Sequence, residues 1–96
     1  MKIVRESVAG TLESSDLLVR VAPAQALEIV LKSEVIHQFG RRIEQVVRET
    51  LGKLDVTAGQ VLIEDKGALD CVIQARVQTA VMRAVEDWRD DWRALA

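Results

Sequence analysis

Hydrophobic positions along this chain follow a period of two at first and a period near 3.6 later. Leu17, Val19 and Val21 alternate with Leu18 and Arg20, and Leu27, Ile29 and Leu31 alternate with Glu28, Val30 and Lys32. Each run reads as a half-buried strand. Pro23, between them, suits a connection better than a central strand. Upstream, residues 8–12 predict a further strand. It is separated from Asp16 by Glu13-Ser14-Ser15, a polar stretch with hairpin-turn chemistry.

The period then lengthens. Ile36, Phe39, Ile43, Val46, Val47, Leu51 and Leu54 recur every three or four residues and predict a helix. Ser33 suits its N-cap and Glu34 its first turn, while Gly52 lies where the helix is expected to stop. Gly40, inside it, costs roughly 1 kcal/mol against alanine and hints at close packing. Val61-Leu62-Ile63, bounded by Gly59 and by Asp65-Lys66-Gly67, predicts a fourth strand. From Ala68 onward, Leu69, Ile73, Val77, Ala80, Val81, Ala84 and Trp88 mark a second helical stripe. Its start stays open, because Cys71-Val72-Ile73 fits a strand as well. The expected architecture is α+β in the order βββαβα. It is a small antiparallel sheet of about four strands with two helices on one face. It forms a single domain over residues 1–96.

Composition narrows the function classes. A domain of this length buries roughly 60–70% of its unfolded surface, enough for one core and little for a deep pocket. A formal net charge of −2 argues against nucleic acid, because neutralising phosphates needs a basic face. No apolar run approaches the roughly 20 residues of a membrane span, and Met1-Lys2-Ile3-Val4-Arg5-Glu6 turns polar too soon for a signal peptide. One cysteine, Cys71, leaves no internal disulfide, so a cytoplasmic location is expected.

The residues supply no catalytic constellation. The sole histidine, His37, borders the first helical stripe and reads as a surface or boundary residue. Cys71, among Leu69, Val72 and Ile73, is expected to pack in the core as a small hydrophobe. One histidine and one cysteine do not fill a zinc site without carboxylates. Glu86, Asp87, Asp90 and Asp91 alternate with Arg89 and Arg93, as on a solvated helix face. Trp88 and Trp92, at i and i+4, suit either an interface patch or a cap on the core.

Two separated segments carry a family signal. The first is Val8-Ala9-Gly10-Thr11-Leu12-Glu13-Ser14-Ser15-Asp16. The second is Asp65-Lys66-Gly67-Ala68-Leu69-Asp70-Cys71, followed by Gln74-Ala75-Arg76-Val77. Together with Phe39-Gly40 they resemble the citrate lyase acyl carrier protein, or gamma chain, over essentially the whole chain. The resemblance implies that Ser14 bears a covalent prosthetic group, 2'-(5''-phosphoribosyl)-3'-dephospho-CoA, joined through phosphate and ending in a thiol. Ser15 stands where many members of that family have glycine.

The implied role is to present acetyl and citryl thioesters to the lyase alpha and beta chains while citrate is cleaved to acetate and oxaloacetate. Implied partners also include the prosthetic-group transferase and the acetate ligase that acetylates the thiol. The carrier itself is then not an enzyme, since the arm brings the chemistry and the protein brings position. Glu13 and Asp16 flank the serine, and a basic surface on the transferase or the lyase chains is a candidate to read both charges.

Three other readings compete. A plain phosphopantetheine carrier would place Asp-Ser-Leu at a helix start, whereas Ser15-Asp16-Leu17 lies in a β-prone region. An unmodified adaptor would bind its partner through Trp88 and Trp92. An enzyme built on Cys71 would lose activity on alkylation.

Overall fold

The computed structural model of the chain describes residues 1–33 and 36–85, the side chains of residues 36–38 excepted. His37, Trp88, Trp92 and the charged segment from residue 86 onward lie outside this description. The elements are β1 (Ser7–Gly10), β2 (Leu17–Ala22), β3 (Leu27–Ser33), α1 (Ile36–Lys53), β4 (Gly59–Asp65) and α2 (Asp70–Ala84). The expected α+β class and the order βββαβα are both observed.

The sheet runs β1-β2-β4-β3. β1 pairs antiparallel with β2, and β2 antiparallel with β4. The sheet differs from expectation at its other edge, where β3 pairs parallel with β4, so it is mixed. The reason is the connection. A helix between two neighbouring strands returns the chain to its starting end, and the second strand then repeats the direction of the first.

Alternation in the strands sorts the two faces. Leu17, Val19 and Val21 of β2 and Val61 and Ile63 of β4 are buried. They meet Ile43, Val46, Val47 and Leu51 of α1 and Ile73, Val77, Ala80, Val81 and Ala84 of α2 in one core. Each buried aliphatic side chain contributes on the order of 1.5–3 kcal/mol. α1 ends in a Schellman arrangement. Val56 N–H donates to Leu51 O at 2.9 Å and Asp55 N–H to Gly52 O at 3.1 Å, with Asp55 at φ 57°. The left-handed stop is therefore Asp55, three residues beyond Gly52. Ser33 closes β3, and its hydroxyl donates to Asp65 at 2.9 Å.

The N-terminal residues close the far end of α2. Ile3 is buried and bridges Val85, and Arg5 Nη1 donates to Val85 O at 2.6 Å. A cation at a helix C-terminus satisfies carbonyls that the helix leaves unpaired.

β1 stops at Gly10, two residues earlier than expected. Gly10 has φ +92°, and a Cβ there would lie 1.9 Å from Leu17 O. Only glycine lets the hairpin turn so close to its partner strand. Gly10→Ala should therefore destabilise the domain by at least about 2 kcal/mol in urea unfolding. Gly52→Ala, in open space on α1, should instead gain roughly 0.5–1 kcal/mol. Equal stability of the two variants would contradict this account of Gly10.

Candidate functional site

The hairpin loop, residues 11–16, is fixed at its base and open at its tip. Thr11 N–H donates to Leu17 O at 3.2 Å, continuing the β1–β2 pairing by one step. The Thr11 hydroxyl donates to Asp16 Oδ2 at 2.6 Å and accepts from Glu13 N–H at 3.2 Å. Leu17 N–H donates to Asp16 Oδ1 at 2.7 Å. Across the layer, Arg76 of α2 grips the same carboxylate with two parallel bonds, Nε to Oδ1 at 3.1 Å and Nη2 to Oδ2 at 3.0 Å. This two-pronged geometry fixes orientation as well as distance.

The tip is a β-turn over residues 13–16, in which Asp16 N–H donates to Glu13 O at 3.2 Å. Ser14 and Ser15 are its central residues. Ser15 has φ 64°, the left-handed value that the second central position of a type II turn demands. Glycine meets that demand without strain, which gives a physical reason for glycine at this position in the family that the sequence resembles. Leu12, Glu13, Ser14 and Ser15 are all exposed. The Ser14 hydroxyl makes no hydrogen bond among the described residues.

The second motif lies against the first. β2 and β4 continue their pairing beyond the strands, with Lys66 N–H donating to Asp16 O at 2.9 Å and Ser15 N–H to Lys66 O at 2.8 Å. Asp65, almost fully buried, holds the turn into α2. Its carboxylate accepts from the N–H groups of Gly67 and Ala68, each at 3.0 Å, and from the Ser33 hydroxyl. Gly67 itself has φ +91°. Segments fifty residues apart thus form one platform.

Other expected roles change. Asp16 is not a free charge for a partner to read, because Thr11, Leu17 and Arg76 occupy its carboxylate, and Glu13 alone stays open to solvent. Cys71 is exposed, not packed in the core. It sits in the first turn of α2, where Ile73 and Val77 take the inner face and leave Cys71 outside. Leu69 precedes the helix and is 69% exposed. Arg76 stands in the second motif, and its partner Asp16 stands in the first, sixty residues away. The signal available was a basic residue on α2 in one motif and an acid at the hairpin base in the other.

With Phe39, Arg42, Ile43, Cys71 and Ile73, Leu69 lines a groove of about 660 Å³ between α1 and the start of α2. Arg42 and Asp70 form an ion pair at 2.6 Å in its wall. Among the described residues, no helix is long and apolar enough to cross a membrane.

Comparison with known proteins agrees with this arrangement. Residues 4–84 match the family model described as ACP: Malonate decarboxylase delta subunit (MdcD). The citrate lyase acyl carrier protein of Rhodopseudomonas palustris (strain BisA53) is 64% identical over 97 residues, covering 100% of both chains. That of Enterobacter sp. (strain 638) is 61% identical with the same coverage. The chain belongs to the citrate lyase acyl carrier protein family. That of Albidiferax ferrireducens is 60% identical over 99% of both chains. A chain in the crystal structure of a Pseudomonas malonate decarboxylase hetero-tetramer in complex with malonate shares the fold, with a TM-score of 0.75 at 22% identity. The match covers 86% of this chain and 87% of that one. Membership gives this domain an acyl carrier role.

The clasp at the base of this carrier's loop has a pH signature. The Thr11 hydroxyl first, then the Arg76 guanidinium, lower the Asp16 carboxyl from 3.8 to about 2, against the opposing effect of partial burial. In the unfolded chain the carboxyl takes up its proton at higher pH than in the folded one. The stabilisation is therefore present above about pH 4 and is lost as pH falls towards 2. Arg76→Met and Asp16→Asn should each flatten the fall in urea midpoint over this window. A variant whose midpoint falls as steeply as that of the parent would show that the clasp does not contribute.

Proposed function

We propose that Ser14 Oγ is the attachment point of 2'-(5''-phosphoribosyl)-3'-dephospho-CoA, and that the domain presents this group to the other chains of a citrate lyase. The observation that carries the reading is a hydroxyl that is exposed and unbonded among the described residues, at the tip of a loop whose base is held from three sides. Such a hydroxyl is open to a transferase and loses no internal bond when esterified. Ser14 rather than Ser15 is the site, because it holds the serine position of the motif that this chain resembles, whereas Ser15 stands at the left-handed position that glycine also fills.

When bound, the group supplies a thiol that carries acetyl or citryl as a thioester. The chain's own residues position it. Asp16, Thr11 and Arg76 hold the loop base, and Lys66 pins the backbone of Ser15. Leu12 and Glu13 offer one apolar and one acidic contact beside the serine. No base or oxyanion donor is required of the domain, so it acts as a non-catalytic subunit. Tethering replaces a diffusional encounter with an effective concentration on the order of mM.

The partners on this reading are the alpha and beta chains, the attaching transferase and the acetate ligase, all in the cytoplasm. The phosphodiester link would make the loaded domain a phosphoprotein of citrate fermentation. The hetero-tetramer in which the structurally similar Pseudomonas chain occurs favours a carrier that works inside an assembly.

Ser14→Ala should leave the free energy of unfolding within about 0.5 kcal/mol of the parent, because the site is exposed. It should abolish citrate cleavage by the complex reconstituted with the alpha and beta chains. Full cleavage by the variant complex would refute the proposal.

A further inference from the structure

A groove opens between α1 and the start of α2. Ile43 and Ile73 are buried at its floor, while Phe39 and Leu69 stand 53% and 69% exposed at its mouth. Its volume of about 660 Å³ falls in the range of small-molecule sites. Two large apolar side chains thus stand open beside an ion-paired arginine. The position is as informative as the lining. Gly67 and Ala68 form part of the wall, and the preceding residue, Lys66, exchanges two backbone hydrogen bonds with residues 15 and 16. Groove and hairpin tip therefore share one loop.

We infer that this groove seats the adenosine portion of the group carried on Ser14. The inference rests on the attachment proposed above. In a phosphoribosyl-dephospho-CoA joined to serine through its phosphoribosyl end, the adenosine lies near the protein and the thiol at the far end. A groove beside the root of the tether meets the nucleoside, not the thiol. The chemistry matches. A purine has two apolar faces, which suit the Phe39 ring and the Leu69 side chain. The Arg42 guanidinium gives Nε and Nη2 bonds to Asp70 and an Nη1 bond to Gln45, which leaves two of its five N–H donors for an anionic oxygen of the arm. Seating the nucleoside confines the swinging portion to the pantetheine end. A plain phosphopantetheine arm lacks the part that this groove takes.

Cys71, exposed in the same groove, is the reporter. Its alkylation by iodoacetamide, followed on the peptide that contains it, should be several-fold slower in protein loaded at Ser14 than in Ser14→Ala. A Phe39→Ala, Leu69→Ala double variant, altered only at exposed side chains, should keep its adduct and regain the unloaded rate. In NMR spectra of the loaded protein, adenine protons should show contacts to the Leu69 methyl groups. Equal Cys71 rates in loaded and unloaded protein, with the adduct present on Ser14, would overturn the groove assignment alone. So would protection that appears only when the alpha and beta chains are added, since the groove would then be their docking surface. An unmodified Ser14 in native protein would overturn the attachment and the groove together.

Discussion

The Asp16 carboxylate ties together three parts of the domain at the base of the hairpin loop. It accepts from Thr11 at one end of the hairpin loop, from Leu17 at the start of β2, and from Nε and Nη2 along one edge of the Arg76 guanidinium on α2. A partly buried charge pair is worth holding only when its geometry is good and its remaining lone pairs are bonded, and both conditions are met. The base of the loop thereby acquires the rigidity of the helix and sheet behind it. The tip is held more lightly, by one turn hydrogen bond, the Glu13 N–H to Thr11 hydroxyl bond and the Ser15–Lys66 contact.

This division of labour suits a carrier. Chemistry performed on a tether requires that its root be defined, because error at the root is magnified along the arm. It also requires that the root be accessible to several partners in turn. The second motif, from Asp65 to Cys71, contributes loop geometry to the site. Asp65 shapes the loop, Gly67 permits its left-handed turn, and Lys66 extends the β2–β4 pairing to the hairpin tip. A motif without catalytic side chains is intelligible as the wall against which the hairpin loop rests.

Local pattern foretold those parts that depend on local physics. The alternation of Leu17, Val19 and Val21 marked the buried face of β2, and the stripe from Ile43 to Leu51 marked the inner face of α1. What the pattern left unread depends on distant neighbours. The parallel pairing of β3 with β4 follows from which strand lies between which, and periodicity carries no such information. Cys71 sits among Leu69, Val72 and Ile73 and looked like core, yet the helix turns it outward, and its apolar neighbours could not reveal that. The Asp16–Arg76 pair spans sixty residues and was invisible as a pair, although both members were present in the quoted motifs. The polar turn at Ser14, by contrast, was legible from composition, and the role proposed for it only through the likeness of the whole chain to the citrate lyase carriers.

The account comes down to whether the hydroxyl at the hairpin tip bears a covalent group in the cell. The direct measurement is the intact mass of the chain purified from its native source, followed by fragmentation of the peptide containing residues 13–16. The expected result is one adduct with the mass of a phosphoribosyl-dephospho-CoA linked through phosphate, localised to Ser14. A native chain that weighs no more than its amino acids, or an adduct on any other residue, would contradict the account.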